Sequence, residues 1–346
     1  SSPNRAKGGL AMKYDALVFI GRFQPFHKGH ESVIDTAIEK AKEVIIVVGS
    51  SFASRSTRNP FTFDERKAMI KAVYPQDNVK VVPMSDYPYD DNKWVGAVQS
   101  TVYSAMKFSP DPLKIGLIGH EKDGTSYYLK IFPTWGNESV SSVDGIHATD
   151  IRESAFENGH FENPAMSLAA RETLGKVVPP SDWDRLRYEY KLIKEYQKSW
   201  EVAPFAPTFH TTDAVVVQSG HILLVKRKAA PGMGLWALPG GFLNQEEKLV
   251  DGCLRELKEE TKIKVPLPVL RGSIKDHHVF DHPHRSTRGR TITTAYYIDL
   301  GFDDKLPKVT GADDAEKAKW VPFNEVDRTK MFEDHFFIID YFLNIG

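Results

Sequence analysis

Leu17-Val18-Phe19-Ile20-Gly21-Arg22-Phe23-Gln24-Pro25-Phe26-His27-Lys28-Gly29-His30 decides how the first half of the chain folds. Four consecutive apolar residues ending at a glycine suit a strand buried on both faces of a parallel sheet. Beyond the turn, Val33, Ile34, Ala37, Ile38 and Ala41 recur at helical spacing between 30 and 42, and Val44-Ile45-Ile46-Val47-Val48 reads as a second buried strand. The unit is β–α–β. The pattern repeats, with helices expected at 65–73 and 94–106 and strands at 79–82 and 114–118. This alternation predicts an α/β domain with a doubly wound parallel sheet. Such sheets bind ligands beyond the carboxyl ends of their strands, so the segments after Ile20 and after Ile118 are expected to carry the site.

His27 and His30 flank Gly29 where a helix begins. A glycine turn lets backbone approach a phosphate, and the helix N-terminus aims N–H groups at it. Two imidazoles at that place can donate hydrogen bonds to a transferring phosphoryl group, a reaction that needs positioning and charge stabilisation more than covalent chemistry. The competing reading is a pair of histidines that merely cap the helix. Their place at the end of the first buried strand, after Gly21-Arg22-Phe23-Gln24-Pro25-Phe26, favours a site.

These residues resemble the nucleotidylyltransferase superfamily and, more closely, the archaeal-type nicotinamide mononucleotide (NMN) adenylyltransferases. The resemblance continues through Thr57-Arg58-Asn59-Pro60-Phe61-Thr62-Phe63-Asp64-Glu65-Arg66, Asp91-Asn92-Lys93-Trp94 and Gly119-His120-Glu121-Lys122-Asp123. His147-Ala148-Thr149-Asp150-Ile151-Arg152 stands where the family has Ser-Ser/Gly-Thr-x-Ile-Arg, so His147 and Ala148 depart from the pattern. The resemblance implies a Rossmann-like fold in which Arg22, His27, His30 and Arg152 hold the ATP triphosphate and act in catalysis. It adds Gly21, Phe23, Gly29, Gly119 and Thr149 to the ATP site. It assigns Trp94 to stacking on nicotinamide, with Asn92 and Arg58 also at NMN, and leaves Tyr127 and Tyr128 in the surroundings.

Residues 181–200 read as a charged helix, and Glu201-Val202-Ala203-Pro204-Phe205-Ala206-Pro207 then breaks the chain. A linker is expected at 201–208, dividing a domain of residues 12–200 from one of 209–346. Residues 1–11 are small, polar and without periodicity, and are read as an expression remnant outside the fold. Past the linker, 214–217 and 221–225 flank Gln218-Ser219-Gly220 as a hairpin. A helix at 245–262, a strand at 291–298 and a last helix near Glu333 complete an α+β domain with mixed strands.

The decisive stretch of this half runs Gly241-x5-Glu247-x7-Arg255-Glu256-Leu257-Lys258-Glu259-Glu260-Thr261-Lys262-Ile263. On a helix Glu256, Glu259 and Glu260 face together, while Leu249, Val250, Cys253, Leu254 and Leu257 form the apolar face. Clustered carboxylates repel one another unless cations neutralise them, and hard oxygen ligands suit Mg2+ or Mn2+. Such an ion polarises a pyrophosphate and activates a water. Arg255 can orient Glu259, and Glu247 either stabilises the loop or serves as a supporting base. This spacing resembles the Nudix signature, with Lys262 where the family has glycine, which puts the end of the helix at issue. The resemblance implies a pyrophosphatase with Glu256, Glu259 and Glu260 as metal ligands and the last two in catalysis. Arg227, Trp236, Gly240, Gly241, Arg285, Arg288 and Arg290 are the candidates for binding its substrate. The segment from Asp276 to Arg290 is read as a polar loop whose four histidines lack a fixed ligand spacing. Its arginines either bind phosphates or form a solvated basic surface, and Trp236 or Phe280 either packs on adenine or belongs to the core.

The two resemblances cover nearly the whole chain and match the bacterial bifunctional NMN adenylyltransferase/Nudix hydrolases, whose Nudix half is associated with ADP-ribose hydrolysis. ATP, NMN, NAD and ADP-ribose are the small molecules this implies. A Nudix half that senses a nucleotide, or one that hydrolyses another nucleoside diphosphate derivative, stays open, as do other acceptors such as phosphopantetheine or FMN. A formal net charge of −1 gives no electrostatic footprint for nucleic acid. No apolar run approaches the ~18 residues of a membrane span. With a single cysteine, Cys253, no disulfide can form within the chain, and a reducing, cytoplasmic setting is expected. A homo-oligomer is left open.

Overall fold

The computed structural model describes residues 12–107, 109–120, 131–310 and 317–346. Glu121, Lys122, Asp123, Tyr127 and Tyr128 lie outside the described residues. The chain forms two compact units, the first made of residues up to Ser51, Phe63–Asp86 and Asn92–Pro179, the second of Phe52–Thr62, Tyr87–Asp91 and Pro180–Gly346.

In the first unit β1 (Tyr14–Gly21), β2 (Ala41–Val48), β3 (Val79–Pro83), β4 (Ile115–His120) and β5 (Gly136–Val140) form one sheet in the order β3-β2-β1-β4-β5. Every pairing is parallel. The apolar runs that define β1 and β2 are buried on both faces, with Leu17, Val18, Ile45 and Ile46 fully enclosed. Helices α1 (Lys28–Lys40), α2 (Phe63–Val73), α3 (Asp91–Ala105), α4 (Ala148–Asn158) and α5 (Leu168–Val177) complete the described elements before Pro180. Chain order reverses between β1 and β4, which are neighbours, so the switch point falls between Ile20 and Ile118 as the sequence requires.

The second unit opens with α6 (Pro180–Lys198). Its sheet has the order β10-β11-β6-β7-β12, with β8 on β7 and β9 on β6. These strands are β6 (Phe209–Gln218), β7 (His221–Lys226), β8 (Trp236–Ala237), β9 (Gly240–Phe242), β10 (Ile274–Phe280), β11 (Thr291–Asp299) and β12 (Ala318–Pro322). The β11–β6 pair is parallel and the rest antiparallel. Helix α7 (Leu249–Thr261) buries Cys253, Leu254 and Leu257 in one core cluster; a short α8 (Leu267–Gly272) follows it, and α9 (His335–Leu343) buries Ile338 and Ile339 in another. No helix among the described residues is long and apolar enough to cross a membrane.

Three details differ from the sequence expectation. Helix α6 groups with the second unit, whereas the division was expected at 201–208. The cause is packing that local periodicity does not carry: Phe61 stacks on Trp183 with ring centroids 6.3 Å apart, and the Glu189 carboxylate accepts from the Gly232 N–H at 3.2 Å. Residues 274–280 are a strand rather than part of a polar loop. They pair with β11 at the sheet edge, and their polar side chains point to solvent. Lys262 does end α7, in the left-handed conformation (φ 50°, ψ 29°), with its N–H on the Lys258 carbonyl. A lysine thus occupies a conformation that glycine adopts without strain.

Candidate active sites

The carboxyl ends of β1 and β4 open onto two adjoining cavities of the first unit. One, of about 410 Å3, is lined by Gly21, Arg22, Phe23, Gln24, His30, Gly119 and Arg152, among others. The other, of about 540 Å3, is lined by His27, Gly29, His30, His120, His147 and Thr149, among others. Gly21 is required by packing: a Cβ there would lie 2.9 Å from the Phe23 ring. Phe23 itself sits at φ +53° and is buried.

Both histidines cap the helix, and both line a cavity. His27 is the N-cap of α1, and its Nδ1 accepts from the Gly29 N–H at 3.1 Å. The Nδ1 of His30 accepts from the His27 N–H at 3.1 Å, which completes a reciprocal capping box. The two rings stack at 3.6 Å. Burial, together with the charges of His120 and His147, brings His27 down to about 4. Burial, then His27 and His120, holds His30 well below its ordinary value. Both rings are therefore neutral near pH 7. With each Nδ1 accepting, the proton of each ring is on Nε2, the atom left to donate.

The arginines of this unit divide by role. Arg152, itself buried, donates from Nη1 to the Gln24 carbonyl at 2.8 Å and from Nη2 to Thr149 Oγ1 at 3.3 Å, tying α4 to the turn after β1. Arg66 is fully buried and donates to the carbonyls of Arg22 (2.8 Å), Gly49 (2.6 Å) and Ser50 (3.3 Å). It fixes the backbone that carries Arg22. The sequence placed Arg66 in a family segment but gave it no role, and it left His120 unassigned. A charged residue two places into a helix that follows a buried strand was the available signal for Arg66.

Asn92 and Trp94 line neither cavity. Trp94 lies 6.1 Å from the Phe132 ring and packs against the core of the first unit. Arg58 falls in the segment Phe52–Thr62, which belongs to the second unit.

The second unit has a cavity of about 340 Å3 lined by Asp213, Arg227, Gly240, Gly241, Phe242, Glu260, Arg285, Arg288, Phe332, Glu333 and His335, among others. The glycine pair of β9 is its floor. A Cβ at Gly240 would lie 2.2 Å from the Thr212 carbonyl, and one at Gly241 2.9 Å from Glu256. Glu260 accepts from the Gly240 N–H at 3.3 Å. Burial, then the neighbouring charge of Glu256, raises Glu260 to about 8. Two carboxylates held against one glycine strand, one of them resisting ionisation, have the chemistry of a pair awaiting a hard cation. In the side-chain arrangement present, no three acidic, histidine or cysteine groups among the described residues enclose an ion. Glu259 stays largely exposed and is tied to Arg255 Nη1 at 3.3 Å. The donor chemistry of Glu256 and Glu260, oxygen ligands whose charges oppose one another, fits a divalent ion.

Arg255 organises the box. Its Nη2 meets Glu247 at 2.7 Å and its Nη1 meets Glu256 at 2.9 Å. Glu247 also accepts from the Asn244 N–H at 2.8 Å. Arg255 foremost, with Asn244, holds Glu247 down to about 2 and ties it to the loop before α7.

Of the other candidates, Arg227 lies 4.0 Å over the Phe332 ring and donates to the Pro231 carbonyl. Arg285 lines the cavity with its guanidinium paired to Asp334, and Arg288 lines it facing Glu333 at 3.5 Å. Arg290 and Trp236 do not line it. Trp236 packs on a core cluster, and Phe280 is fully buried in that cluster. Asp213, Glu333 and His335 were missed by the sequence reading. An aspartate inside the apolar run of β6 and an acidic pair before the last helix were their signals.

Residues 208–342 match the NUDIX domain family and residues 18–103 the Cytidylyltransferase-like family. The chain is 41% identical over 155 residues to a nicotinamide/nicotinic acid mononucleotide adenylyltransferase of Acinetobacter baylyi, covering 44% of this chain and 80% of the relative. It is 32% identical over 155 residues to an ADP-ribose pyrophosphatase of Methanocaldococcus jannaschii, covering 43% of this chain and 85% of the relative. A crystal structure of a bifunctional NMN adenylyltransferase/ADP ribose pyrophosphatase from Francisella tularensis is similar at 38% identity with a TM-score of 0.90, over 96% of this chain and all of that one. A second structure of that enzyme, complexed with AMP and a Mn ion, is similar at 37% identity with a TM-score of 0.89, over the same shares of the two chains.

Proposed function

The chain belongs to the family of bifunctional NMN adenylyltransferases/ADP-ribose pyrophosphatases, and from that premise we propose that each unit carries one of the two reactions. The first transfers the adenylyl group of ATP to NMN, giving NAD and pyrophosphate. The second hydrolyses ADP-ribose to AMP and ribose 5-phosphate. One observation carries this reading: the cavities of each unit are lined by residues of its own motif, Arg22, His30 and Arg152 in one and His27 and His30 in the adjoining one of the first unit, Gly240, Gly241 and Glu260 in that of the second.

In the transferase unit the NMN phosphate attacks the α-phosphorus of ATP. The Nε2–H groups of His27 and His30 donate to oxygens of the transferring and leaving phosphates, while Arg22 and Arg152 balance the triphosphate charge. Gly21, Phe23, Gly29, Gly119 and Thr149 shape the ATP site around them. Asn92, Trp94 and Arg58 are assigned to NMN by the family resemblance alone.

In the hydrolase unit Glu256, Glu259 and Glu260 would hold a divalent ion, Mg2+ or Mn2+, which when bound polarises the diphosphate and acidifies a water. Gly240 and Gly241 let the substrate approach the backbone. Arg227 and Arg288 supply positive charge at the cavity wall. A cytoplasmic location belongs to the same reading, since both substrates are nucleotides of central metabolism.

Incubation with ATP, NMN and Mg2+, and separately with ADP-ribose and Mg2+ or Mn2+, followed by chromatography, tests both halves. NAD with pyrophosphate, and AMP with ribose 5-phosphate, are the expected products. A kcat/KM that favours NADH or a nucleoside triphosphate over ADP-ribose would overturn the second assignment.

A further inference from the structure

Arg285 is almost entirely buried, yet it lines the hydrolase cavity. Its Nε and Nη2 donate to Asp334 Oδ2 and Oδ1 at 3.0 and 2.9 Å, a two-pronged pairing that fixes the guanidinium plane. The Nη1 end of the fork makes no bond to this carboxylate. A buried guanidinium held along one edge presents its other edge in a fixed direction, which is what recognition of a diphosphate requires.

A third residue completes the arrangement. The Tyr89 hydroxyl donates to Asp334 Oδ2, the oxygen that also receives Arg285 Nε. The ring packs edge-on against Phe280 at 4.9 Å. Tyr89 thus ties the carboxylate that orients Arg285 to the end of β10, from which the loop carrying Arg285 departs. Burial and the Asp334 charge keep its phenol well above the usual range, so it remains a neutral donor. Tyr89 comes from Tyr87–Asp91, a segment that follows β3 in sequence but is part of the second unit. Tyr87 of the same segment meets Phe337 at 6.2 Å.

We propose that Tyr89 is a positioning residue of the hydrolase, acting through Asp334 to aim Arg285 at the diphosphate. The hydrolytic site is then not contained in residues 209–346, because one of its supports is encoded more than a hundred residues upstream. This inference rests on the hydrolase reading above.

The test is a double-mutant cycle in the full chain, with Tyr89→Phe, Arg285→Ala and the pair, using whichever of ADP-ribose, NADH and a nucleotide sugar the wild type hydrolyses fastest. Wild-type turnover of ADP-ribose against NADH and a nucleotide sugar judges the substrate reading; the cycle judges Tyr89. Loss of a hydrogen bond to a buried charge predicts about a tenfold fall in kcat/KM for Tyr89→Phe, expressed mainly in KM. NAD synthesis and the unfolding midpoint should stay at wild-type values. In the Arg285→Ala background Tyr89→Phe should cost nothing further. An equal cost in both backgrounds, or no cost in the wild-type background, overturns the proposal. Should Arg285→Ala not fold, Arg285→Lys takes its place in the cycle, because it keeps the charge and loses the fork.

Discussion

The two cavities meet negatively charged substrates by opposite means. In the first unit the histidines are stripped of charge by burial and present neutral N–H donors, and Arg152 is anchored to a carbonyl and a hydroxyl. In the second, ionisable groups stand in opposition: Arg285 against Asp334, Arg288 against Glu333, Glu260 against Glu256. Burying a neutral donor costs far less than burying a charge, whereas like carboxylates held together resist ionising together until a cation arrives. The first site is thus built by folding alone, and the second is completed by its ion.

The largest effect that could break this contrast is at Glu260. Glu260→Gln should cut hydrolysis by about a thousandfold and leave NAD synthesis unchanged. Mg2+ or Mn2+ at a hundred times its dissociation constant should stabilise the wild type by about 2.7 kcal/mol and the variant by less, read as a shift in unfolding midpoint. Loss of both activities in a folded Glu260→Gln protein would show that the two sites are not chemically separate.

His27→Ala is the counterpart in the first unit. It should lower NAD synthesis by about a hundredfold and spare hydrolysis. Near-wild-type synthesis by this variant would remove His27 from the site.

A pH series sharpens the contrast further. His27 titrates near 6.5 when unfolded and at about 4 when folded. Between those values the unfolded chain binds a proton that the folded chain does not, so stability falls as pH falls. The contribution is fully present above pH 6.5 and about 3 kcal/mol of it is gone by pH 4. Denaturant melts of wild type and His27→Asn from pH 7.5 to 4.5 should show the steeper loss in the wild type, and parallel curves would contradict a neutral buried imidazole.

The smallest effect lies outside both sites. Lys262→Gly should relieve the left-handed strain at the end of α7 and add about 1 kcal/mol to the stability of the second unit, with both activities unchanged.

What could be read in the sequence was what repeats locally. The apolar runs of β1 and β2, the turn holding His27 and His30, and the helix spacing of Glu256, Glu259 and Glu260 are each confined to a short stretch of sequence, where local pattern exposes them. What stayed hidden depends on distant partners. The burial of Arg66 is explained only by carbonyls in two strand ends. Asp334 gains meaning from Arg285 and Tyr89, far apart along the chain. Segments 52–62 and 87–91 look like ordinary loops after strands, and only packing reveals that they belong to the second unit. The basic run around Arg285 stood out as a candidate, but nothing in its spacing distinguishes the buried Arg285 from Arg290, which does not line the cavity.

The reciprocal cap at the start of α1 has one more consequence. An imidazole whose Nδ1 is engaged by a backbone amide cannot collect a proton there without breaking the helix start, and losing the one on Nε2 would leave an imidazolate. Neither His27 nor His30 can therefore relay protons; the pair can only clamp. A clamp of this kind suits a nucleophile that arrives already ionised. A phosphate monoester attacking a triphosphate meets the condition, and an alcohol that must be deprotonated on the way does not.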